Sequence, residues 1–392
     1  MRTEKNHEAE NKNEHDVLLA ESCWQDEPTP SGEIGKPIRL QIEAIFRDYR
    51  RDMSSLPSFR VAASLAIALS AVSPPALAEP GQGFVKADNP QYVLISFDNS
   101  NGIAEWKRSR ALAAKTGARL TYFLSCVFLI PKERRASYVA PEHGAGKSNI
   151  GFAPSRDDVA ERLGQIWAAH GEGHEVGSHA CGHFDGKGWS KAEWLAEFRA
   201  FRTALTEAYT ANGIDGEPDG WRDFAANGIK GFRAPYLSTG PGLYQALAAK
   251  GFTFDASGVS RAPERPDRSA AVARFALPQI PEGTKERRVI ATDYNLFVRH
   301  SGGFERRDDD GVFEERTYLA FRRAFEKEIS GDRTPLQLGF HFTQMNGGAY
   351  WRALERFAGE VCIRAEVACV TYSDYLARTS GDTVVAKSAA GG

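Results

Sequence analysis

The sequence lacks a long apolar run, a paired-cysteine motif and an excess of charge of either sign. The one stretch near membrane length, from Val61 to Val72, holds about 12 residues, whereas a membrane-spanning helix needs about 20. None of the five cysteines forms a C-x-x-C pair, which disfavours zinc-finger chemistry. With 49 basic and 51 acidic side chains, nothing draws the chain to phosphates, so nucleic acid is not an expected partner. What remains is a globular protein with 42% hydrophobic residues.

The N-terminal part of the chain predicts export. Residues 1–52 are polar and poor in aromatic residues, which indicates a disordered or misassigned extension. From Met53 the chain has the layout of a signal peptide: a positive charge at Arg60, the apolar run, and small residues up to Ala78. We therefore expect translation to begin at Met53, a signal peptide over 53–78, cleavage near Ala78, and a domain over 79–392. The alternative is a cytoplasmic tail ahead of an uncleaved anchor.

Export would place the mature protein in the periplasm or outside the cell, without a stable membrane anchor. Such a compartment is oxidising, so disulfides become permissible. Cleavage would leave four cysteines, Cys126, Cys181, Cys362 and Cys369. The last two are seven residues apart and could bridge, although two buried free thiols fit the sequence equally well.

Short apolar runs alternate with helical patterns along the mature chain, which predicts an α/β fold with a parallel sheet. Seven or eight such repeats favour a closed or nearly closed barrel, with its chemistry at the carboxyl ends of the strands. Two segments, 130–156 and 261–286, are predicted to be loops. The predicted strands cover residues 92–97, 120–124, 175–178, 231–233, 252–255, 288–293, 336–340 and 367–371.

Several of these strands end in polar residues that a purely structural role does not require. Asp98 directly follows the first apolar strand, Arg233 ends the fourth, and His341 ends a late one. His179 and His183 follow the third strand, and one turn of helix there would bring both imidazoles to one side, as a metal requires. An isolated H-x-x-x-H also arises from two ordinary histidines. Together, the four strand ends suggest a metal-assisted hydrolase.

These motifs, in this order, resemble the polysaccharide deacetylase family with the NodB-like fold, closest to its chitin-deacetylase-like members. The family's Thr-Phe-Asp-Asp motif is similar to Ser96-Phe97-Asp98-Asn99, and its histidine motif to His179 through His183. Its Arg-x-Pro-Tyr motif matches Arg233 to Tyr236, and its Leu-x-His motif is approximated by Gly339-Phe340-His341. The resemblance spans nearly the whole mature chain. It implies a distorted (β/α) barrel of about seven strands that forms a catalytic domain.

The resemblance also implies a metal-dependent N-deacetylase and assigns roles to its residues. Asp98 would be the general base, His341 the general acid, and Arg233 would keep Asp98 ionised. The backbone N–H of Tyr236 would share oxyanion stabilisation with the metal. The ligands of that divalent metal, in this family usually Zn²⁺, would be Asn99, His179 and His183.

The sequence departs from the family pattern in two places. Asn99 stands where the family usually has an aspartate, so metal affinity should fall. The fourth motif survives only as Asp255-Ala256-Ser257-Gly258, without its tryptophan, although Asp255 would still brace Arg233. Asp293-Tyr294-Asn295, at another predicted strand end, is a candidate source of a replacement polar group.

Three functions follow from these observations. The first is removal of N-acetyl groups from an amino-sugar polymer of the chitin-oligomer or peptidoglycan type. The second is a glycan-binding protein on the same fold, with weakened chemistry, that holds sugar on aromatic residues such as Tyr236 and Trp351. The third is hydrolysis of a small amide, which the export signal disfavours. The sequence leaves the oligomeric state open.

Overall fold

The computed structural model describes residues 89–380. The predicted extension, signal peptide and cleavage site all lie outside the described residues. Within residues 89–380, no helix is both long and apolar enough to cross a membrane.

Strands and helices alternate along most of the described chain, as predicted, and one exception is a run of three consecutive strands between residues 254 and 290. The strands are β1 (Gln91–Asn99), β2 (Thr121–Leu124), β3 (Glu175–Ser178), β4 (Gly231–Phe232), β5 (Phe254–Ser260), β6 (Ala273–Glu282), β7 (Arg287–Ile290), β8 (Leu336–His341) and β9 (Val367–Cys369). The α-helices are α1 (Ile103–Thr116), α2 (Arg156–Gly171), α3 (Lys191–Thr206), α4 (Ala208–Asn212), α5 (Trp221–Asp223), α6 (Pro241–Lys250), α7 (Asp293–Ser301), α8 (Val312–Ser330), α9 (Met345–Val361) and α10 (Tyr372–Arg378).

The helix boundaries have local causes. Helix α3 begins with the predicted capping box, in which Ser190 and Glu193 exchange side-chain and backbone hydrogen bonds. Helix α1 ends at Gly117, whose φ of +71° is a left-handed cap that glycine adopts at little cost.

The sheet is a nearly closed barrel. In the described chain the strand order is β7-β6-β5-β4-β3-β2-β1-β8, with β9 also paired to β1. Strands β1 to β6 and β8 pair in parallel, and only β7 runs antiparallel, against β6. The gap between β6 and β8 is bridged by Ala291, whose N–H donates to Pro278, and by a parallel bridge between Thr292 and Gly339. The predicted distorted barrel is therefore confirmed.

Side chains alternate between the two faces of each strand and so form two separate hydrophobic clusters. In β1, Val93, Ile95 and Phe97 face outward and pack with the helices, whereas Tyr92 and Leu94 belong to a second cluster inside the barrel. Ser96 and Asp98 continue that inner row toward the carboxyl end of the strand. The inner cluster fills the amino-terminal end of the barrel, which leaves the carboxyl end for polar groups.

Helix α10 closes the amino-terminal end of the barrel. Its Tyr372 is fully buried among inner aromatic rings and stacks on Phe254, with ring centroids 5.1 Å apart. Glu175 at the start of β3 accepts hydrogen bonds from the backbone N–H groups of Tyr372 and Ser373. The barrel is thus blocked at one end and accessible only from the other.

One predicted loop differs from the structure, and the open question of the cysteines is resolved. The segment 261–286 contains the ten-residue strand β6, so its prediction as a loop is wrong. Its proline and charged residues lie largely before and after the apolar stretch that pairs with β5. Both cysteine pairs, Cys126–Cys181 and Cys362–Cys369, form disulfides.

Candidate active site

The site lies at the carboxyl end of the barrel, where strand register brings its residues together. Asp98 of β1 and His341 of β8 are direct partners in the parallel ladder. Both side chains point into the barrel because they lie in the same inward-facing rows as Ser96 and Gly339. They line one pocket together with His179, whose backbone N–H bonds the end of β2.

Arg233 anchors the base of this pocket. Its Nη1 donates to Asp98 Oδ1 at 2.8 Å and to Ser96 Oγ at 2.9 Å. Its Nε donates to the carbonyl of Ala256, and its Nη2 to the hydroxyl of Tyr372. The guanidinium is completely buried, so these four bonds fix its position. The predicted contact between Arg233 and Asp98 is present.

Asp98 is held as a carboxylate. Burial by itself would raise the pKa of Asp98, but the positive charge of Arg233, assisted by His179 and His341, outweighs burial and lowers that pKa below its ordinary value. Asp98 is therefore ionised at neutral pH and available to accept a proton at the pocket surface.

His341 is oriented by a second carboxylate, Asp293. The Nδ1 atom of His341 lies 2.7 Å from Asp293 Oδ1, and the backbone N–H of His341 donates to Asp293 Oδ2 at 2.8 Å. Asp293 is completely buried at the start of α7. This pair fixes the proton of His341 on Nδ1 when the ring is neutral and leaves Nε2 as the atom for proton transfer.

His179 and His183 meet as predicted, but not through a turn of helix. The segment after β3 is irregular, with left-handed backbone at Ala180 and His183. The two rings lie with centroids 5.1 Å apart, and both side chains are buried. The helix expected there is wrong because a disulfide and several hydrogen bonds impose a different path.

The two imidazoles fit a metal ion. The Nδ1 atom of His179 bonds the carbonyl of Arg233 at 2.8 Å, which leaves Nε2 as the ligand atom. The Nδ1 atom of His183 is buried and has no hydrogen-bond partner within the described chain. Burial lowers the pKa of His179 to about 4, against a partly opposing effect of Asp98, and burial also lowers the pKa of His183 well below its ordinary value. Both rings are therefore neutral at physiological pH, as metal ligands must be.

The third predicted ligand, Asn99, lies elsewhere. Its Oδ1 accepts a hydrogen bond from Ser125 Oγ at 3.1 Å, and Asn99 does not line the pocket. Among residues 89–380, no group of three or more His, Cys, Asp or Glu side chains is placed to hold a metal ion. Protein ligation in this arrangement therefore depends on the two histidines.

Tyr236 forms one wall of the pocket. Its backbone is left-handed, with a φ of +57°, and its ring packs edge-on against His183 with centroids 4.6 Å apart. Asn149, from the long loop after β2, donates to the Tyr236 hydroxyl at 3.2 Å and to the carbonyl of His183 at 3.0 Å. The predicted loop 130–156 thus reaches the rim of the site.

Asp255 does not line the pocket and forms no hydrogen bond to Arg233 within the described residues, and its predicted role as a brace is reduced to an electrostatic effect, because the charge of Arg233 lowers the pKa of Asp255 against the larger effect of burial. Phe254 and Ala256 point into the barrel, so alternation turns Asp255 outward, toward the helix layer. Its Oδ1 accepts from Ser257 Oγ at 2.5 Å, and burial raises its pKa to about 6. Ser257 Oγ in turn accepts from the N–H of Ala234, so Asp255 supports the chain next to Arg233 only indirectly.

Trp351 is not a sugar platform. Its side chain is 1% exposed, and its Nε1 donates to the carbonyl of His341. A glycan cannot stack on it, which removes one of the two aromatic residues suggested for glycan binding.

Asp293 is predicted from its position at a strand end only as a source of a replacement polar group. In the structure Asp293 is the partner of His341. Leu277, which also lines the pocket, and Asn149 at its rim belong to no motif by which sequence alone would select them.

No protein-family model and no curated protein matches the chain. Solved structures do match. A putative polysaccharide deacetylase from Mycobacterium smegmatis has 15% identity and a TM-score of 0.45, covering 76% of this chain and 92% of its own. A probable polysaccharide deacetylase from Pseudomonas aeruginosa PAO1 has 16% identity and a TM-score of 0.45, covering 74% and 89%. The Puue allantoinase has 16% identity and a TM-score of 0.44, covering 74% and 89%.

Proposed function

We propose that this protein is a metal-dependent deacetylase that removes the acetyl group from an N-acetylated amino sugar in a polymer of the chitin-oligomer or peptidoglycan type. The observation that supports this proposal most directly is the pocket in which Asp98, paired with Arg233, faces His341, paired with Asp293. One group is kept ionised to accept a proton and the other is arranged to donate one, which is the pairing that hydrolysis of an amide requires.

The protein side chains account for the proton transfers. Asp98 accepts a proton from the attacking water as the water oxygen bonds to the acetyl carbon. His341, protonated at both nitrogens, donates its Nε2 proton to the amide nitrogen as the carbon–nitrogen bond breaks. Asp293 stabilises the positive ring before the transfer and holds its Nδ1 proton throughout. The products are acetate and the free amino sugar.

His179 and His183 would hold the divalent metal, with Zn²⁺ the ion that imidazole ligands favour. A bound metal would polarise the acetyl carbonyl and promote ionisation of water. The backbone N–H of Tyr236 would share in stabilising the oxygen that becomes negative, because Tyr236 lines the pocket beside His183.

The two disulfides support the proposed export. Disulfides form and persist in oxidising compartments, and this chain has two within its described part. We therefore place the protein in the periplasm or outside the cell, in reach of a cell-wall or environmental glycan.

The proposal is tested by acetate release from N-acetylglucosamine oligomers and from peptidoglycan, together with elemental analysis for bound metal. We expect a chelator to abolish acetate release and Zn²⁺ to restore it. Asp98→Asn and His341→Ala should each abolish measurable turnover. Asp309→Asn is the matched control, because Asp309 is exposed and does not line the pocket. Release of acetate that resists a chelator would contradict metal dependence.

One observation favours the second candidate, a glycan-binding protein with weakened chemistry. The engagement of Asn99 by Ser125 leaves two histidines as ligands. Binding of acetylated oligomers without bound metal and without acetate release would support this candidate against the first.

A further inference from the structure

The segment that carries both candidate ligands is a strained loop. Within residues 179–183, Ala180 and His183 have φ values of +56° and +55°. Left-handed backbone costs about 1 kcal/mol or more for a residue with a Cβ atom, so such a loop persists only where its surroundings determine it. The contacts that hold the loop therefore decide where the imidazoles lie.

A disulfide makes the first of these contacts. Cys181 lies between the two histidines and is bonded to Cys126, which begins the short helical turn after β2. The backbone N–H of Cys126 also donates to the carbonyl of Ala180 at 3.1 Å. Both sulfurs are completely buried, so the cross-link lies inside the structure beneath the loop.

A buried carboxylate makes the second contact. Glu197 on α3 is 1% exposed, and its Oε1 accepts from the N–H of Cys181 at 2.9 Å. Both Glu197 oxygens also accept from the Tyr138 hydroxyl, at 2.9 and 3.0 Å, and that hydroxyl accepts from the N–H of Gly182 at 3.0 Å. Burial of a carboxylate is unfavourable unless the carboxylate is hydrogen-bonded. Here the hydrogen bonds of Glu197 are made with the loop and with Tyr138. The deacetylation chemistry does not use Glu197.

We propose that Glu197, Tyr138 and the Cys126–Cys181 disulfide form a loop clamp whose role is to position His179 and His183 for metal binding. This inference rests on the proposed function, because it takes the two histidines to be the ligands. Since these two rings are the main protein ligands, their separation is maintained by the clamp rather than by a rigid third ligand. Groups that orient metal ligands typically change metal affinity by about 10- to 100-fold when they are removed.

The inference is tested by measuring Zn²⁺ affinity of the full chain, by competition with a chromophoric chelator. Glu197→Leu, Tyr138→Phe and the double variant Cys126→Ala/Cys181→Ala should each weaken Zn²⁺ binding by about 10-fold or more. Glu197→Gln should restore near wild-type affinity, because the amide oxygen still accepts from Cys181. Such a rescue would show that the hydrogen bond from Cys181 to residue 197 matters for Zn²⁺ binding, and that the negative charge of Glu197 does not.

The second disulfide provides a matched control. Cys362→Ala/Cys369→Ala removes a buried cross-link next to β9, remote from the loop, and should leave Zn²⁺ affinity unchanged. Reductant should weaken Zn²⁺ binding in the wild-type protein and in this control, but not in Cys126→Ala/Cys181→Ala, where binding is already weak. Circular dichroism and the melting temperature show which variants are folded, and Tyr138→Phe is the mildest because it removes a single hydroxyl.

The possible failures are distinguishable. Wild-type Zn²⁺ affinity in folded Tyr138→Phe and in Cys126→Ala/Cys181→Ala would overturn the loop clamp and leave the proposed function intact. An oxidised wild-type protein that binds no Zn²⁺ would overturn the metal site and the loop clamp together. Equal loss of affinity in the Cys362→Ala/Cys369→Ala control would show a general effect of destabilisation and would also overturn the inference.

Discussion

Asp98, which lines the pocket, and Asp293, which is fully buried and bonded to His341, have different proposed roles because their partners differ. Asp98 faces a guanidinium that cannot give up its proton, so the carboxylate remains the group that accepts one. Asp293 faces an imidazole, a side chain that can both donate and accept a proton. The residue types alone suggest an acid and a base, but the pairing decides which is which.

The pairing of Asp293 with His341 predicts the effect of Asp293→Asn. The amide keeps the shape of the side chain but removes the charge that stabilises a positive imidazole, so a smaller fraction of His341 carries the proton that the reaction needs. We expect kcat to fall by about 100-fold, within the usual contribution of general acid catalysis. Steady-state acetate release measures this, with circular dichroism as the check on folding. An unchanged kcat would contradict the role of Asp293.

The position of Asn295 in the pocket lining predicts that its side chain contacts the substrate. Its Oδ1 accepts from the Thr292 hydroxyl at 2.6 Å, which turns the amide nitrogen away from Thr292 in a side chain that lines the pocket. Asn295→Asp keeps the oxygen for Thr292 but replaces a donor by an acceptor. We expect KM to rise about 10-fold, the value of roughly one hydrogen bond, with a smaller change in kcat.

The control for this variant is Asn227→Asp, the same chemical change at an exposed helix position where the side chain bonds only Asp223. It should leave KM unchanged. KM is measured on N-acetylglucosamine oligomers. If KM rises in neither variant, Asn295 does not touch the substrate.

At the scale of the elements, strand alternation explains both a successful and a failed prediction. The order of apolar strands predicted the barrel, and the first polar residue after each strand predicted Asp98 and His341. The same reasoning did not place Asp255 correctly, because it did not establish which face of β5 this residue occupies. The segment predicted as 252–255 is in fact Phe254–Ser260, so Asp255 is the second residue of a longer strand and not its polar end.

The histidine loop could not be derived from local pattern either. The spacing of His179 and His183 indicated that both could reach one metal, but the loop path depends on Cys126 and Glu197, which are distant in sequence. Likewise, Asp293 was predicted to end a strand, yet it begins α7 after a short bridge that closes the barrel. Contacts between distant segments determined these positions, and one sequence does not display them.

The outward position of Asp255 on β5 predicts a dependence of stability on pH. Burial raises its pKa from 3.8 to about 6 in the folded protein, so the folded state retains a proton that the unfolded chain loses. Asp255 therefore contributes about 3 kcal/mol to the free energy of unfolding below pH 4, and this contribution is lost as the pH rises to about 6.

Asp255→Asn should remove this dependence while keeping an oxygen for Ser257. We expect the free energy of unfolding of the variant, relative to the wild-type protein, to increase between pH 4 and pH 7. Urea unfolding at several pH values measures the difference, and Asp309→Asn, an exposed position, should follow the wild-type curve. A constant difference between Asp255→Asn and wild type would contradict the raised pKa.

For the whole molecule, the closed end and the open end of the barrel carry different kinds of chemistry. Aromatic residues and α10 fill one end, and the ionisable groups collect at the other, where parallel strands finish. The cross-links follow the same division. Cys362–Cys369 fastens the chain before β9 and α10, whereas Cys126–Cys181 lies under the histidine loop. Loss of either should lower stability, but only the second bears on the site.

Acid sensitivity of the whole molecule follows from buried histidines outside the pocket. Burial lowers the pKa of His174 and of His300 to about 4, although Glu172 and Glu282 partly oppose this effect. In the unfolded chain these rings take up protons near pH 6.5, whereas in the folded protein they remain neutral until about pH 4. The unfolded state thus binds more protons in this range, so their contribution to stability is present above pH 6.5 and is lost as the pH falls to 4.

The double variant His174→Asn/His300→Asn tests this contribution, because asparagine offers a polar group without a titration in this range. Each ring contributes about 3 kcal/mol of pH dependence, so between pH 7 and pH 4 the wild-type protein should lose about 6 kcal/mol more than the variant. Urea unfolding followed by tryptophan fluorescence gives both curves. The variant should be less stable than the wild-type protein at pH 7, where the neutral rings keep their contacts, and the gap should close as acid is added. Parallel curves across this range would mean that these histidines titrate alike in the folded and unfolded chain, and the acid sensitivity would then have to arise from other groups.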